Sequence, residues 1–562
     1  MKKILLVLFT FCTLGLSAQT LTDLTNPVYH DLEAWANQGY IRILPMIKPY
    51  SGILLASLLK EVVQNGDAQA QEKARSYQKV FFQNLTYPDI LLSQDSLAGP
   101  QGYYGLTSLD FQSRGMLGPN VYADGQYGIL GIQTTASDPQ LDPANVSAQI
   151  APVFSPLRLD YKLDKTSLTV GKQQLGVTFN YATTVSVGND AVSFQTGYSR
   201  TSIDSYEGDS IILSPQAFAA PQMTFTWRTP DTVYQSLFMA LDARLLNGQG
   251  AGFPGKYLNF SSFQWRTPSP LEIDLDQTVV YGQRLDPGYF IPGIPFLQAE
   301  MYGNTDNLFL GAGLKYFFPN DIRADAQLYL DDFTIVKFLA GNFNTGFKAA
   351  ANLNLEWTPS KPGLFKQLGI EYTLVTPYTY THTPDYIDNP DGANLSNYIN
   401  GIAGASAPVN YLDYTTNGAG LGTVIGPNSD RLRVNASLNG PWDSSITSEL
   451  AMIRHGNASA GANTVYYDYL NYTQPGTVFD PGYDINNGGA NNLYETLNFL
   501  NQTTIMTVFQ ASLGFKLPFV LGPRSTLTPY VKLEGEWYRN LNEVAGDNGF
   551  TPFVYFGGTW EF

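Results

Sequence analysis

The sequence is poor in cysteine, in histidine and in charged side chains. One cysteine, Cys12, and three histidines occur among 562 residues. Because Cys12 lies in an apolar leader-like stretch, the remaining chain has no thiol for disulfides, thiolate metal sites or a cysteine nucleophile. Charged residues make up 14% of the chain, whereas soluble domains contain about 25%. These deficits exclude a disulfide-stabilised fold and argue against an ordinary soluble domain.

Long hydrophobic runs and basic stretches are missing as well. Beyond residue 18, no uninterrupted apolar run approaches the roughly 18 residues that a membrane-spanning helix needs. A membrane location would therefore require a closed β-barrel. The net charge is −16 and no basic stripe is visible, so nucleic acid is not an expected partner.

The first residues predict secretion. Two lysines precede the apolar run Ile4–Phe11, and Leu16-Ser17-Ala18 supplies small residues before a cleavage point. A basic start, an apolar core and small residues are the parts of a signal peptide, expected here at residues 1–18. A lipoprotein reading of Cys12 would leave too short a hydrophobic region before the cysteine.

Aromatic residues and alternating patterns are what the sequence has in excess. Tyrosine (36), phenylalanine (33) and glycine (52) are abundant. From about Tyr103 onward, polar and apolar residues alternate, as where Glu272, Asp274 and Asp276 lie between Leu271, Ile273 and Leu275. The same period recurs at 352–357, 431–438 and 531–537. Period two with one apolar face predicts strands, and in a membrane barrel the apolar face contacts lipid while the charged face lines the lumen.

The chain ends in a strand with an aromatic terminus. Val554, Phe556, Gly558, Trp560 and Phe562 fall on one face, opposite Thr559 and Glu561. This ending resembles the assembly signal of bacterial outer-membrane β-barrels. It implies outer-membrane lipid as surroundings and the barrel-assembly machinery as a partner, engaged through the strand that ends at Phe562.

The lengths of the connections alternate between short and long. Counted back from Phe562, turns such as 518–525 and 439–443 alternate with the long loops 456–503 and 377–430. Short turns at one end and long loops at the other are the arrangement of outer-membrane barrels. About 19 candidate strands are visible, but both chain ends on the periplasmic side require an even number. The doubtful stretch is 164–200, and we predict about 18 antiparallel strands within residues 101–562.

Residues 19–100 differ from the barrel that follows. Val28–Ala36 has an apolar face at helical spacing, Ser51 can cap a second helix, and 68–82 forms a third helical stretch. The segment is predicted to be a small α-helical periplasmic domain, or a plug, with a linker. The fold class is therefore mainly β, a large transmembrane β-barrel preceded by helices.

Four stretches resemble the capsule-assembly Wzi family. Asp31-Leu-Glu-Ala-Trp-Ala-Asn-Gln-Gly-Tyr-Ile41 resembles its amino-terminal helix, and Val170-Gly-Lys-Gln173 resembles its Gly-Arg-Gln strand. The region from Glu300 to Asp332 resembles its central barrel, and Asp413–Asn428 resembles a glycine-rich stretch before a later strand. The resemblance implies an outer-membrane lectin that holds exported polysaccharide, with periplasmic helices that plug or flank the barrel. The helical segment also resembles a single S-layer-homology unit.

The two longest loops are the candidate glycan-binding surface. Tyrosine rings can stack on sugar C–H faces, and tyrosine and aspartate oxygens can hydrogen bond to sugar hydroxyls. The alternative, weighed evenly, is that such loops are rich in tyrosine because they pack on one another. The candidate residues are Tyr378, Tyr380, Tyr386, Tyr398, Tyr414, Tyr466, Tyr467, Tyr469, Tyr472 and Asp468.

Charged residues on the polar strand faces are predicted to line the lumen. They are Glu272, Asp274, Asp276, Asp325, Arg431, Arg433 and Lys532. They could set ion selectivity, although a solvated and mutually compensating wall is the preferred interpretation. The pair Asp331-Asp332 could hold Ca²⁺, but a strand-terminating turn is favoured, so no metal and no cofactor are expected.

Two function classes remain open from the sequence. The first is a non-enzymatic outer-membrane barrel that binds or anchors surface polysaccharide, and the second is a diffusion porin or selective channel for small solutes. A third hypothesis is a barrel whose helices tether the membrane to the wall. Catalysis is not expected, because neither His382 nor His455 has a Ser or Asp at a recognisable spacing.

Overall fold

The computed structural model describes the helical segment, the barrel strands and part of the connections. The described residues are 20–82, 89–137, 146, 149–154, 168–243, 255–293, 295–296, 306–332, 348–361, 363–377, 379–380, 385–386, 408–409, 411–416, 419–456, 499–500, 504–522 and 525–562.

Three short helices form the amino-terminal part: α1 (Pro27–Asn37), α2 (Gly52–Asn65) and α3 (Ala68–Phe81). Each begins at a side chain that accepts a free N–H of the first turn. Asn26 accepts from Val28, Ser51 from Leu54 and Asp67 from Ala70. The three predicted helices are confirmed. No helix in the described part of the chain is long and apolar enough to cross a membrane.

Eighteen antiparallel strands close into a barrel. They are β1 (Asp89–Gly99), β2 (Gly102–Gly118), β3 (Val121–Thr134), β4 (Gln173–Gly188), β5 (Val192–Ser199), β6 (Ala220–Arg228), β7 (Thr232–Leu241), β8 (Lys256–Arg266), β9 (Leu271–Gly282), β10 (Asn307–Phe318), β11 (Ile322–Asp332), β12 (Lys348–Trp357), β13 (Phe365–Val375), β14 (Ser429–Asn439), β15 (Ser445–Gly456), β16 (Ile505–Lys516), β17 (Ser525–Arg539) and β18 (Asn548–Glu561). The predicted fold class and strand number are confirmed.

The barrel closes where its first strand meets its last. β1 pairs with β2 on one side and with β18 on the other, and the backbones of Ile90 and Phe562 exchange both hydrogen bonds. Since β1 begins at Asp89, the barrel starts upstream of the predicted boundary at residue 101. The doubtful stretch 164–200 contributes two barrel strands, β4 and β5, and the three residues Leu168–Val170 pair with β4.

The outer surface of the barrel is apolar. On β9, Leu275 is 60% exposed, whereas its neighbour Asp274 faces inward and is 0% exposed. Exposed aromatic side chains lie near one end of the wall, among them Trp227, Trp265 and Phe318, as in the aromatic girdles of membrane barrels. The alternation predicted from the sequence therefore separates a lipid-facing surface from a polar interior.

The two ends of the barrel differ in their connections. One end, called here the short-turn end, has turns such as 119–120, 189–191 and 229–231, and also holds Phe562. The opposite, long-loop end has the connections 200–219 and 376–428. One exception to the predicted rhythm occurs, because β1 and β2 are joined at the long-loop end by only residues 100–101.

Candidate functional site

The helical segment, residues 20–82, packs inside the barrel at its short-turn end. Its polar contacts reach strands around much of the wall. Thr22 N–H donates to Asp124 on β3 at 3.1 Å, and Asn37 donates to Glu356 on β12 at 2.8 Å. Arg42 donates at 2.6 Å to Asp231, in the turn between β6 and β7. The segment is therefore a plug, anchored to the wall on the β2–β13 side.

The connection between β5 and β6, residues 200–219, also folds into the lumen and is called here the inward loop. Its Ile203 pairs as a two-residue strand with Ile47 of the plug. Asp204 receives a 2.6 Å contact from the ammonium group of Lys315 on β10. The inward loop therefore ties the plug to the barrel wall.

Part of the β13–β14 loop completes the filling from the long-loop end. Tyr380 and Tyr414 stack with ring centroids 5.5 Å apart, and Tyr414 packs at 4.8 Å against Phe309 of the wall. Their hydroxyls donate at 2.7 Å to the carbonyl oxygens of Ile211 and Ile212 in the inward loop. These rings belong to one hydrophobic cluster with residues of β7, β8 and β9.

This burial corrects part of the predicted glycan surface. Tyr380 and Tyr414 are fully buried, so neither ring presents a face to a glycan in this arrangement. Burial also raises the pKa of both phenols. The alternative that these tyrosines pack within the protein accounts for both of them.

The other predicted glycan residues cannot be judged in the same way. Tyr386 lies in a two-residue strand that pairs with Pro408–Val409. Outside the described residues are Tyr378, Tyr398, Tyr466, Tyr467, Tyr469, Tyr472 and Asp468.

The predicted lumen carboxylates of β9 and β11 lie on the inner face but are not solvated. Glu272, Asp274, Asp276 and Asp325 are packed beneath the plug and the inward loop, and the three on β9 are buried. Arg323 donates to Asp325 at 2.9 Å, Gln327 donates to Asp276 at 2.8 Å, and Gln264 donates to Glu272 at 3.2 Å. These carboxyls are surrounded by protein, and neither carboxylate oxygen of Asp274 has a hydrogen-bond partner among the described residues, so the expectation of a water-exposed wall is wrong on this side.

The three predicted lumen cations lie together on the opposite side. Arg431, Arg433 and Lys532 line a cavity of about 500 Å³, called here the vestibule, between the wall strands β14–β18, β1 and β2 and the inward loop. Glu449, Tyr104, Tyr530 and Tyr555 also line its wall side, and Asp209 faces them from the inward loop. No plug residue is part of its lining within the described chain.

The vestibule opens toward the short-turn end and is closed toward the other. On β15, Thr447 is exposed and Glu449 is half-buried, whereas Ile453 and His455, nearer the long-loop end, are buried. On β16, Lys516 is exposed and Val508 is buried. The inner faces of both strands therefore pass from solvent into packed protein in the same direction, which makes the vestibule a blind cavity.

Sequence reasoning missed the inward loop and most of the vestibule. Tyr530 shares an inner face with Lys532 by simple alternation and could have been found from that pattern. Tyr104 and Glu449 sit on strands whose alternation is weaker, and nothing in residues 200–219 distinguishes an inward-folded loop from an outward one.

One member of the Asp331-Asp332 pair, Asp331, anchors the start of the β13–β14 loop. Asp331 accepts the backbone N–H of Tyr380, and Lys348 lies 3.9 Å from its other carboxylate oxygen. Across the described ranges, no group of three or more His, Cys, Asp or Glu side chains could hold a metal ion.

Comparison with known proteins supports the fold. The chain is similar to a structure described as Wzi, an outer-membrane protein involved in group 1 capsule assembly in Escherichia coli and a carbohydrate-binding β-barrel. The TM-score is 0.53, the identity is 12%, and the match covers 95% of this chain and 97% of that one. The likeness to Wzi predicted from the sequence is therefore confirmed at the level of the fold.

Other matches are weaker. OprD of Pseudomonas aeruginosa gives a TM-score of 0.40 at 9% identity, covering 85% of this chain and 93% of that one. OpdK of the same species, solved with vanillate, gives 0.41 at 10% identity, covering 86% and 99%. No family model and no curated protein sequence matches the chain. The chain thus has the fold of an outer-membrane β-barrel.

Proposed function

We propose that the protein is a non-enzymatic barrel of the bacterial outer membrane that binds or anchors exported surface polysaccharide at its long-loop end. The observation that carries this proposal is the filled lumen. The plug, the inward loop and the buried part of the β13–β14 loop are joined to one another and to the wall. Such a barrel is suited to holding a ligand at its surface.

The fold likeness to a carbohydrate-binding barrel supports the same proposal. With the long loops at the cell surface, the short-turn end, which holds the plug and Phe562, faces the periplasm. The strand ending at Phe562 engages the barrel-assembly machinery, and residues 1–18 are removed as a signal peptide. The glycan surface is carried by residues 457–498, with Tyr466, Tyr467, Asp468, Tyr469 and Tyr472.

A diffusion porin is the competing function. Porins of this strand number keep a water-filled lumen. The blind shape of the vestibule speaks against a continuous passage, since its wall is buried at Ile453, His455 and Val508 toward the long-loop end.

One experiment separates these functions. The purified protein is reconstituted into planar bilayers, with a known porin measured in parallel, and its binding to polysaccharide extracted from the producing bacterium is measured separately. We expect no large stable conductance. We also expect polysaccharide binding that is lost on deletion of 457–498, although the deleted protein still folds into a barrel, as shown by heat-modifiable migration on gels. Porin-like conductance, or polysaccharide binding that survives the deletion, would overturn the proposal.

A further inference from the structure

The three cationic side chains of the vestibule are already paired within the protein. Arg431 contacts Asp209 at 2.9 Å and Glu371 at 3.0 Å, and Arg433 donates to the same Glu371 at 2.6 Å. Lys532 lies 2.7 Å from Glu534. Because each cation has a carboxylate partner and the carboxyls of Asp95 and Glu207 also line the cavity, the vestibule has no free positive charge to attract an anion.

Aromatic faces and polar atoms alternate around the same cavity. Tyr530 donates to Asp95 at 2.8 Å, and its ring lies across Gly557, where an added Cβ would stand 3.0 Å from the ring. The ammonium group of Lys532 lies 5.0 Å from the centre of the Tyr555 ring. Flat tyrosine faces beside hydrogen-bonding groups are suited to a sugar ring, which has C–H faces and a rim of hydroxyls.

Two buried polar atoms at the cavity have no hydrogen-bond partner among the described residues. They are the Tyr104 hydroxyl and Nε of Arg431, and both residues line the vestibule. Buried polar groups in native proteins are nearly always paired. A ligand or ordered water in the vestibule would provide the missing acceptor for the arginine and a partner for the tyrosine.

The size and position of the vestibule limit what can enter. A volume of about 500 Å³ lies within the range of small-ligand sites, roughly 300–1,000 Å³. The entrance is at the short-turn end, beside the plug, where Thr447 and Lys516 are exposed. A short ligand, or the end of a chain, can enter from that side.

We propose that the vestibule is a binding site for a short neutral saccharide that enters from the short-turn end. The proposal adds to the proposed function a second site that does not include residues 457–498. A free oligosaccharide and the end of a longer glycan have the same chemistry here.

The test uses the full-length mature barrel in detergent with saturation-transfer NMR. The probes are maltotriose and cellotriose as neutral saccharides, a digalacturonate as an anion and spermidine as a cation. We expect transfer to a neutral saccharide, with affinity roughly two- to tenfold weaker in Tyr104→Phe, since one hydrogen bond is lost. Tyr127→Phe, on the lipid-facing surface, is the matched control and is expected to bind like the wild type.

Because the mature chain has no cysteine, the entrance can be blocked selectively. Thr447→Cys labelled with a bulky maleimide is expected to lose the neutral saccharide, whereas labelled Lys361→Cys, on another short turn, keeps it. A dextran of high molecular weight that gives transfer only at its chain ends would identify chain ends as the source, and transfer to the trisaccharides alone would identify free oligosaccharides.

The outcomes separate this site from the proposed function. Transfer to only the anion or only the cation, no transfer to any probe, or equal affinity in Tyr104→Phe and the wild type would overturn the vestibule proposal. None of these results depends on 457–498. Loss of polymer binding on that deletion, with saccharide binding in the vestibule retained, would support both proposals.

Discussion

The two sides of the lumen have the same type of wall but different contents. On β9, the inner face carries Glu272 and Asp274, which are 2% and 0% exposed beneath the plug and the inward loop. On the opposite side, the side chains of Lys532 and Glu449 are 39% and 35% exposed in the vestibule. Strands with the same alternating pattern thus face packed protein on one side and solvent on the other.

Small residues on the inner face do not explain the difference by themselves. Gly311 and Gly313 lie on the inner face of β10, and the side chains of Asp276 and Asp274 cover them. Gly514, beside the vestibule, meets Thr447 but leaves Lys532 free to extend. What fills each side is decided by segments that come from distant parts of the chain.

Removal of Glu371, the carboxylate that pairs with both vestibule arginines, is expected to destabilise the protein most. Glu371, on β13, accepts hydrogen bonds from Arg431, Arg433 and Asn352 and is buried. Its replacement in Glu371→Ala leaves two buried guanidinium groups without this partner, which costs about 3–5 kcal/mol in similar cases. We expect a corresponding fall in the free energy of unfolding, measured by urea denaturation in detergent.

The matched control for Glu371 is an exposed ion pair. Asp190 pairs with Lys60 at 2.9 Å, and both side chains are largely exposed. Asp190→Ala is expected to change stability by less than about 0.5 kcal/mol. Similar losses in Glu371→Ala and Asp190→Ala would show that the buried carboxylate contributes no more stability than an exposed one.

Two lysines allow the packed side of the lumen to be compared directly with the vestibule. Lys315 contacts Asp204 of the inward loop at 2.6 Å and is mostly buried, whereas Lys532 contacts Glu534 at 2.7 Å from the vestibule. Lys315→Met leaves Asp204 without its main partner, and we expect a loss of about 3 kcal/mol. Lys532→Met keeps the aliphatic part of the side chain and should cost less, about 1–2 kcal/mol, because Lys532 is 39% exposed although its partner Glu534 is buried.

Thermal unfolding in detergent, followed by migration on gels, would measure both lysine variants. Equal destabilisation of the two would mean that the inward loop gains nothing from its ion pair. Equal destabilisation would also contradict the assignment of the β9–β10 side as packed protein.

The strands and the plug helices were predictable from the sequence because each has a local signal. The alternation at 271–276 specifies which side chains of β9 face inward, and the caps Asn26, Ser51 and Asp67 mark where helices begin. The strand number followed from the count of candidate strands and the requirement that it be even. Local chemistry therefore determines the elements and their faces.

The filling of the lumen was not predictable because it depends on contacts between segments far apart in the chain. Tyr414 hydrogen bonds to Ile212 across 202 residues, and no local pattern distinguishes such a tyrosine from one in an exposed loop. For the same reason, Arg431 and Lys532 were correctly assigned to the polar face, but the vestibule they share was not foreseen. Its shape depends on where residues 200–219 fold.

The smallest predicted effect concerns acid. Burial raises the pKa of Asp204. The charge of Lys315, the hydrogen bond from Lys315, and the charges of Arg323 and Lys48 lower it by more, so the pKa of Asp204 lies below its usual range. The pKa of Glu33 in the plug is also lowered, because burial raises it but the charge and the hydrogen bond of Lys48 lower it by more. A carboxyl whose folded-state pKa is depressed stabilises the fold fully above its unfolded-state pKa, about 4, and this contribution is lost as the pH falls through the folded-state value.

The contribution of the Asp204–Lys315 pair should therefore be constant from pH 8 to about pH 5 and should decrease only below about pH 4. The measurement is the difference in unfolding free energy between the wild type and Lys315→Met at each pH, with Lys532→Met as the control. Only the first difference is expected to shrink in acid, because protonated Asp204 no longer attracts the lysine. A difference that already shrinks between pH 7 and pH 5 would mean that burial, rather than Lys315, dominates at Asp204, and that the inward loop is held by its apolar contacts alone.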